Sequence, residues 1–204
     1  MKFTEEQLAA YQKRHQQSDK SKPKRAAGGS KPKNKLTSLI SCHAVALIRL
    51  AKCPALRTGG VIRGKRVQAN YEHWDQVTIF DYFERTNPEV YDHLAAIPNG
   101  GKRSKKTANE MQAEGAKTGY PDMGLDIPRG RYHGMKLELK KEGGNKPSNS
   151  QIEWLNRLDK QGYFVCLAYG SEAAIKAVEA YIKLSGDESM PMLESEKKWK
   201  QKRD

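Results

Sequence analysis

A domain of the α/β class, in which helices flank a small mixed central sheet, is the fold that the sequence predicts. Between residues 70 and 184, segments with helical periodicity alternate with short apolar runs of the kind that form strands. Their order is helix, strand, helix, strand, strand, helix, strand, helix, and no internal repeat interrupts it. Alternation of this kind produces a layered structure in which one sheet lies between helices.

The N-terminal third of the chain divides into two segments. Residues 1–35 contain ten Lys or Arg and three acidic residues, and beyond a candidate short helix over 4–16 they are broken by Pro and Gly, so we expect a basic arm without regular structure. Such an arm either aids solubility alone or tethers the protein to DNA. Residues 36–69 begin with an apolar helix over 36–53 and continue as the basic loop TGGVIRGKR, whose role the sequence does not indicate.

The predicted domain opens with the helix YEHWDQVTIFDYFERT, residues 71–86, which carries Glu72 in its first turn. A short strand is expected to end at Ile97, because the following proline cannot donate to a sheet ladder. Asn99 and two glycines then favour a turn. A basic loop follows, and after it a helix through about Ala116.

A strand over MKLELK, residues 135–140, forms the predicted centre of the sheet. Side chains alternate along a strand, so Glu138 and Lys140 share one face and the apolar side chains take the other. Asp122 follows a proline earlier in the chain, and the glycines of GRYHG allow a reversal between the two segments. Adjacent antiparallel strands could therefore bring Asp122 and Glu138 together.

The remaining elements follow from capping and periodicity. Ser148 and Gln151 have the spacing of a capping box at the start of the helix KPSNSQIEWLNRLDKQG. YFVCLAY, residues 163–169, is continuously apolar and predicts a buried strand. The helix SEAAIKAVEAYIKLSG is expected to begin from an N-cap at Ser171, and residues 185–204 form a charged tail.

The composition limits the classes of partner and compartment. The chain has 204 residues, a mass of 23.0 kDa and a net charge of +13, which favours a polyanionic partner, nucleic acid first. Charge alone leaves ribosomal, nucleoid and membrane-surface proteins as alternatives. Three cysteines are too few for a disulfide framework and indicate a reducing cytoplasm. No segment approaches the about 20 apolar residues of a membrane span, and MKFTEEQ lacks the apolar core of a signal peptide. We therefore expect no membrane partner.

The two acids and the lysine suggest chemistry, and each has a simpler interpretation. Two neighbouring carboxylates repel each other unless a cation lies between them, which indicates either a divalent metal ion or a salt bridge from Lys140 to Asp122. A metal ion held in this way could promote the attack of water on a phosphodiester. Taken singly, Glu138 and Lys140 could be the polar face of a half-exposed strand, and Asp122 could be a turn residue.

Several ordered motifs give the chain a resemblance to a known family. These are EHWDQ, IPNGG, GYPDMGLDIPRGRYHG, ELK and SNSQIEWLNRLDKQGYFV, which lie within about residues 70–184. In this order the chain resembles the virus-type replication-repair nucleases, the VRR-NUC family of the PD-(D/E)xK nuclease superfamily. The resemblance implies a restriction-endonuclease-like core. Residues 1–69 lie outside it.

The resemblance also implies roles for residues at matching positions. The implied ligands of Mg²⁺ or Mn²⁺ are Asp122, Glu138, the carbonyl of Leu139 and, directly or through water, Glu72. Lys140 would orient or deprotonate the attacking water, and Gln151 would position substrate or water. The products would carry 5′-phosphate and 3′-hydroxyl ends.

Basic and amide side chains near these motifs are candidates for phosphate contacts, or else belong to solvated loops. They are Asn99, Lys102, Arg103, Lys105, Lys106, Arg129 and Arg131. No motif for base readout accompanies them, so we expect recognition of DNA shape or ends.

The substrate is expected to be branched DNA, because family members of this size resemble viral resolvases that act as homodimers on four-way junctions. The helix over 36–53 could form the dimer contact or pack onto the domain. A phage origin, and with it the host cytoplasm, follows only from the resemblance. The alternatives are a flap or end-processing nuclease, an inactive DNA-binding module, and a basic structural or packaging protein.

Overall fold

The structure is a computed structural model that describes residues 40–98, 105–193 and 195. Its helices are α1 Cys42–Lys52, α2 Ala55–Thr58, α3 Tyr71–Thr86, α4 Pro88–His93, α5 Lys105–Ala113, α6 Asn149–Lys160 and α7 Ser171–Ile182. Its strands are β1 Gly60–Ile62, β2 Lys65–Val67, β3 Leu94–Ala96, β4 Met123–Leu125, β5 Met135–Lys140 and β6 Phe164–Tyr169. Among the described helices, none has both the length and the apolar character needed to cross a membrane.

The main sheet has four strands in the order β3-β4-β5-β6. β3, β4 and β5 pair antiparallel, whereas β5 and β6 pair parallel through the crossover helix α6. The predicted α/β class with a small mixed sheet between helices is therefore confirmed. The strand MKLELK lies between two neighbours, as expected for the centre of the sheet.

The core consists of a layer on each face of this sheet. On one face, Met135, Leu137 and Leu139 of β5 pack with Phe83 of α3 and Tyr181 of α7. On the other face, Leu155 and Leu158 of α6 pack with Val165 and Leu167 of β6. Since β5 is covered on both faces, the interpretation of its polar side chains as the face of a half-exposed strand is wrong.

The basic loop predicted after the first helix is instead a β-hairpin. β1 and β2 pair antiparallel, and the two residues that join them, Arg63 and Gly64, have φ angles of 49° and 75°. Positive φ at both positions is the mirror-image turn typical of two-residue hairpins. In strands of three residues, the alternation of apolar and polar side chains is too short to be recognised in the sequence. Only the Arg-Gly pair could have indicated this turn.

Other differences from the predicted elements are local. Helix α4 was not predicted, although Asn87 caps it and Pro88 occupies its first position, which is a recognisable start signal. The N-cap of α7 is Gly170, so Ser171 is its first helical residue. α1 begins after a cap from Ser41. The candidate helix over 4–16 lies outside the described residues.

The segment predicted as a charged tail begins by packing against the domain. Met190 is buried in the main core, and its backbone N–H donates to the hydroxyl of Tyr132. The carbonyl of Glu188 accepts from the backbone N–H of Arg131. The C-terminal part of this tail lies largely outside the described residues.

We expect Arg57→Gln to lower the free energy of unfolding by about 2 kcal/mol, less than for a fully buried pair because Arg57 is partly exposed. Arg57 Nη2 donates to Oδ1 of Asp75 at 2.6 Å, and the Asp75 side chain is 0% exposed. The variant therefore leaves a buried carboxylate without its cation. Urea denaturation at neutral pH measures the loss. The matched control is Arg157→Gln, whose well-exposed pair with Glu153 spans 3.8 Å, and it should change stability by less than about 0.5 kcal/mol. Equal effects of the two variants would contradict the prediction.

Candidate active site

Pairing of β4 with β5 brings Asp122 and Glu138 to the same level of the sheet. Met123 pairs with Leu137, so Asp122, one residue before β4, lies beside Glu138 in the continued register. The backbone N–H of Leu139 donates to Oδ2 of Asp122 at 3.0 Å. The antiparallel neighbours expected from the sequence are thus present. We call Asp122 and Glu138 the carboxylate pair.

Contacts with helix α6 hold the loop that carries Asp122 in place. Gly119 has φ 81°, and a Cβ on it would lie 2.7 Å from the carbonyl carbon of Ser150, so only glycine permits this close approach. The indole N–H of Trp154 donates to the carbonyl of Thr118 at 3.1 Å, and its ring packs edge-on against Tyr120. The motif GYPD is therefore fixed against the first turns of α6.

Glu138 is held by two donors at the same oxygen. Its side chain is 1% exposed, and Lys140 Nζ donates to Oε1 at 2.7 Å. Gln151 Nε2 donates to this oxygen as well. Gln151 is itself fixed, because its Oε1 accepts from the backbone N–H of Ser148 at 2.9 Å in the capping box of α6. The helix start thus orients the carboxylate of β5.

The third acid, Glu72, reaches the site from the first turn of α3. It is exposed, and its Oε1 accepts from the backbone N–H of Lys141 at 3.4 Å. Its charge raises the pKa of both Asp122 and Glu138. The ammonium of Lys141 lies 4.3 Å from the ring centroid of Tyr71. The tandem lysines 140 and 141 are the sequence signal for this second contact.

The electrostatics of the site favour an additional cation. Burial, together with the neighbouring charge of Asp122, raises the pKa of Glu138 from 4.5 to about 7, while Lys140 opposes the shift. Burial also raises the pKa of Asp122. Lys140 pairs with Glu138, so the proposed salt bridge from Lys140 to Asp122 is not the one that forms. Around the carboxylate pair, one ammonium faces three carboxylates, which leaves excess negative charge.

The carboxylate pair fits a water-rich Mg²⁺ or Mn²⁺ site. Within the described part of the chain, Oδ1 of Asp122 and Oε2 of Glu138 accept no hydrogen bond, so each carboxylate keeps one oxygen for a ligand. Mg²⁺ is commonly held by one or two carboxylates and several waters. Among the described residues, no three His, Cys, Asp or Glu side chains are grouped closely enough to hold a metal. This arrangement favours contact of Glu72 through water.

Two of the candidate phosphate contacts lie away from the carboxylate pair. Arg129 and Arg131 lie in the turn before β5, about 10 Å or more from Glu138, since three residues of strand intervene. The guanidinium of Arg129 donates to the carbonyls of Pro128 and Ile182 and to Glu89 at 3.2 Å, so it fastens the turn to the domain. Neither arginine is brought to the carboxylate pair.

The other candidates follow β3 in the chain. Lys105 and Lys106 are the first residues of α5. Asn99, Lys102 and Arg103 lie outside the described residues.

We expect the metal-free protein to lose stability as the pH rises from 5 to 8. The pKa of Glu138 is about 7 in the folded chain and near 4.5 when unfolded, so the folded state binds the proton more tightly. The stabilisation that comes from this tighter binding is lost as the pH rises from 4.5 through 7. The loss is on the order of 3 kcal/mol. Chemical denaturation with EDTA measures it, and the difference between wild type and Glu138→Gln removes the effect of other titrating groups. Identical pH dependence in both proteins would contradict this expectation.

Of the comparisons with known proteins, one supports the fold. No protein-family model matches the chain, and no curated protein matches it. A solved structure described as a VRR_NUC domain protein is similar, with 29% sequence identity and a TM-score of 0.51. The match covers 59% of this chain and 94% of that chain, so this protein carries elements beyond the shared domain. The likeness supports the assignment of a restriction-endonuclease-like core and of a nuclease of the PD-(D/E)xK type.

Proposed function

We propose that this protein is a metal-dependent deoxyribonuclease that cleaves phosphodiester bonds in branched DNA during phage replication, recombination or repair. The observation that carries the proposal is the carboxylate pair, in which a nearly inaccessible Glu138 lies beside Asp122 and accepts a hydrogen bond from Lys140. Buried like charges are costly and are retained where they bind a cation or perform chemistry. The cytoplasm is the proposed location, and the three free cysteines support it.

The chain supplies distinct parts of the reaction. Asp122, Glu138 and the carbonyl of Leu139 would hold Mg²⁺ or Mn²⁺, with Glu72 contributing through water. The cation would supply Lewis-acid stabilisation of the charge that builds up on the phosphodiester. Lys140, 14% exposed and paired with Glu138, would offer its positive charge to the attacking water and the phosphate. Gln151 keeps Glu138 in one orientation.

Selectivity for branched DNA and a homodimer are the finer parts of the proposal. Symmetric cleavage of a four-way junction needs two active sites related by a two-fold axis. Helix α1 offers a surface for such pairing, because none of its residues is buried and Val45 and Ile48 are 39% and 47% exposed. Its inner side packs on α3, where His43 stacks on Phe80 and contacts the hydroxyl of Tyr91.

The test compares wild type and Glu138→Ala on labelled four-way, flap, single-stranded and linear duplex DNA, with and without Mg²⁺. We expect wild type to cleave the four-way junction fastest, in a Mg²⁺-dependent reaction that Glu138→Ala lacks. If wild type instead cleaves the flap or the DNA ends fastest, the protein is a flap or end-processing nuclease and not a junction nuclease. Binding without cleavage in any divalent cation would indicate an inactive DNA-binding module and refute the enzyme.

A further inference from the structure

The net positive charge of this chain arises from one segment. Residues 20–71 contain thirteen Lys or Arg and no Asp or Glu. The rest of the chain has twenty-four basic and twenty-four acidic residues, so the net charge of +13 arises from this segment. Its described part consists of α1, α2 and the hairpin of β1 and β2. The domain that carries the carboxylate pair therefore cannot attract DNA by its own net charge.

The hairpin presents its basic side chains to solvent. Val61 and Arg66 pair across the two strands and lie on one face, where Val61 is 71% exposed. Ile62 and Val67 lie on the other face and are half-buried, so that face is turned toward the protein. Arg63 lies in the turn at the tip of the hairpin and is exposed. Strands of three residues carry this tip about 10 Å from the base of the hairpin.

The base of the hairpin is fastened beside the candidate active site. The backbone N–H of Asn70 donates to the carbonyl of Arg57 at 2.9 Å, and the indole N–H of Trp74 donates to the carbonyl of Leu56 at 2.9 Å. α2 and the hairpin are thus held on the first turn of α3. That turn begins with Tyr71, whose ring is in cation–π contact with both the guanidinium of Arg57 and the ammonium of Lys141.

A few neighbouring residues connect the base of the hairpin to the carboxylate pair. The residue after Tyr71 is Glu72, which accepts from the backbone N–H of Lys141, next to Lys140 in the chain. The chain therefore enters and leaves the hairpin next to α2 and the first turn of α3, which contacts Lys141 beside the site.

We propose that this hairpin binds the phosphate backbone of duplex DNA next to the scissile bond, with Arg63 and Arg66 as its main contacts. The inference rests on the proposed function and identifies the surface that holds the substrate. Charge complementarity favours DNA, because a basic surface without any acidic residue repels no phosphate and releases condensed counterions on binding. A two-stranded ribbon also fits the major groove of duplex DNA, where Arg63 and Arg66 would reach the flanking phosphates.

The experiment measures DNA affinity against salt concentration in the variant Arg63→Asn/Arg66→Gln. Asparagine tolerates the positive φ at position 63, so the turn is preserved while two charges are lost. The probe is a fluorescent 20-base-pair duplex followed by anisotropy, with Ca²⁺ in place of Mg²⁺ to prevent cleavage. We expect affinity near 0.1 M salt to fall by about tenfold or more, and the slope of log K against log salt to become shallower by up to about 2.

The matched control is Lys160→Gln/Lys183→Gln, which removes the same charge from exposed positions. Lys160 ends α6, and Lys183 follows α7, a helix of 12 residues that carries it about 18 Å from the end of β6 next to Lys140. We expect this control to keep the wild-type affinity to within about threefold, with a salt slope changed by less than about 0.5.

Equal affinity and slope in the two double variants would overturn the proposal. Circular dichroism melting checks that the hairpin variant is folded. If it is not, Lys65→Glu, a charge reversal at the tip, replaces it and should weaken binding more than Lys160→Glu. Cleavage of labelled junction DNA by wild type in Mg²⁺ is measured in parallel. Active wild type with an unaffected hairpin variant refutes only the hairpin contact, whereas inactive wild type refutes the nuclease and leaves the binding result to be judged by itself.

Discussion

Glu138→Gln is expected to reduce Mg²⁺-dependent cleavage of DNA by about 10³-fold or more. The substitution keeps the size of the side chain and the oxygen that accepts from Lys140 and Gln151, but removes the charge that would bind a cation. The loss of activity should come without a loss of stability, because the variant removes a buried acid whose pKa is already raised by burial. Single-turnover cleavage of a labelled four-way junction and thermal melting measure the two properties.

The control for this variant is Glu153→Gln, an exposed acid on α6 whose side chain is 67% exposed. It should keep activity to within about twofold of wild type, since isolated surface charges contribute little. Two results would contradict the role of Glu138. One is substantial Mg²⁺-dependent activity in Glu138→Gln, and the other is an equal loss in Glu153→Gln.

Lys140→Met is expected to lower the cleavage rate by about 10²- to 10³-fold. The ammonium is the charged donor to Glu138, and the pKa of Glu138 would rise further without it. Because Lys140 is held in an ion pair as a donor, we expect its positive charge to matter more than its ability to accept a proton. Lys140→Arg, which cannot act as a base at neutral pH, should therefore retain about a tenth or more of wild-type activity.

Lys136→Met provides a closely matched control for this prediction. Lys136 is on the same strand and the same face, is 10% exposed and is paired with Asp126 at 3.0 Å, but lies at the other end of β5. Its loss should change the rate by less than about threefold. Lys140 acts as the general base instead if Lys140→Arg is as inactive as Lys140→Met and if both variants lack the rise in rate with pH that wild type shows.

The parts of the fold that the sequence predicted are those with strong local signals. The capping box of α6, the apolar strand β6 and the reversal between Asp122 and β5 depend on residues close together in the chain, and all are present. Helix α4 had a local signal in Asn87 and Pro88 that was overlooked. The hairpin had almost none, because its strands of three residues are shorter than the windows in which alternation is visible.

The chemistry of the candidate site was less predictable, because it depends on burial and on partners distant in sequence. The alternation of side chains along the strand placed Glu138 and Lys140 on one face. That this face is buried follows from the packing of α6, and that the two side chains pair with each other is seen only in the structure. The contact between Glu72 and Lys141 spans 69 positions. Arg129 has the appearance of a phosphate ligand in sequence, yet Glu89, 40 positions away, binds its guanidinium.

The capping box of α6 restricts which residue position 151 can tolerate. At this position of a helix start, glutamate and glutamine are ordinarily interchangeable, because either side chain accepts from the N-cap backbone. Here the side chain must also donate to Glu138, which a carboxylate cannot do and an amide can. Two demands of different origin, one from helix nucleation and one from acid chemistry, thus converge on a single amino acid, and glutamine satisfies both.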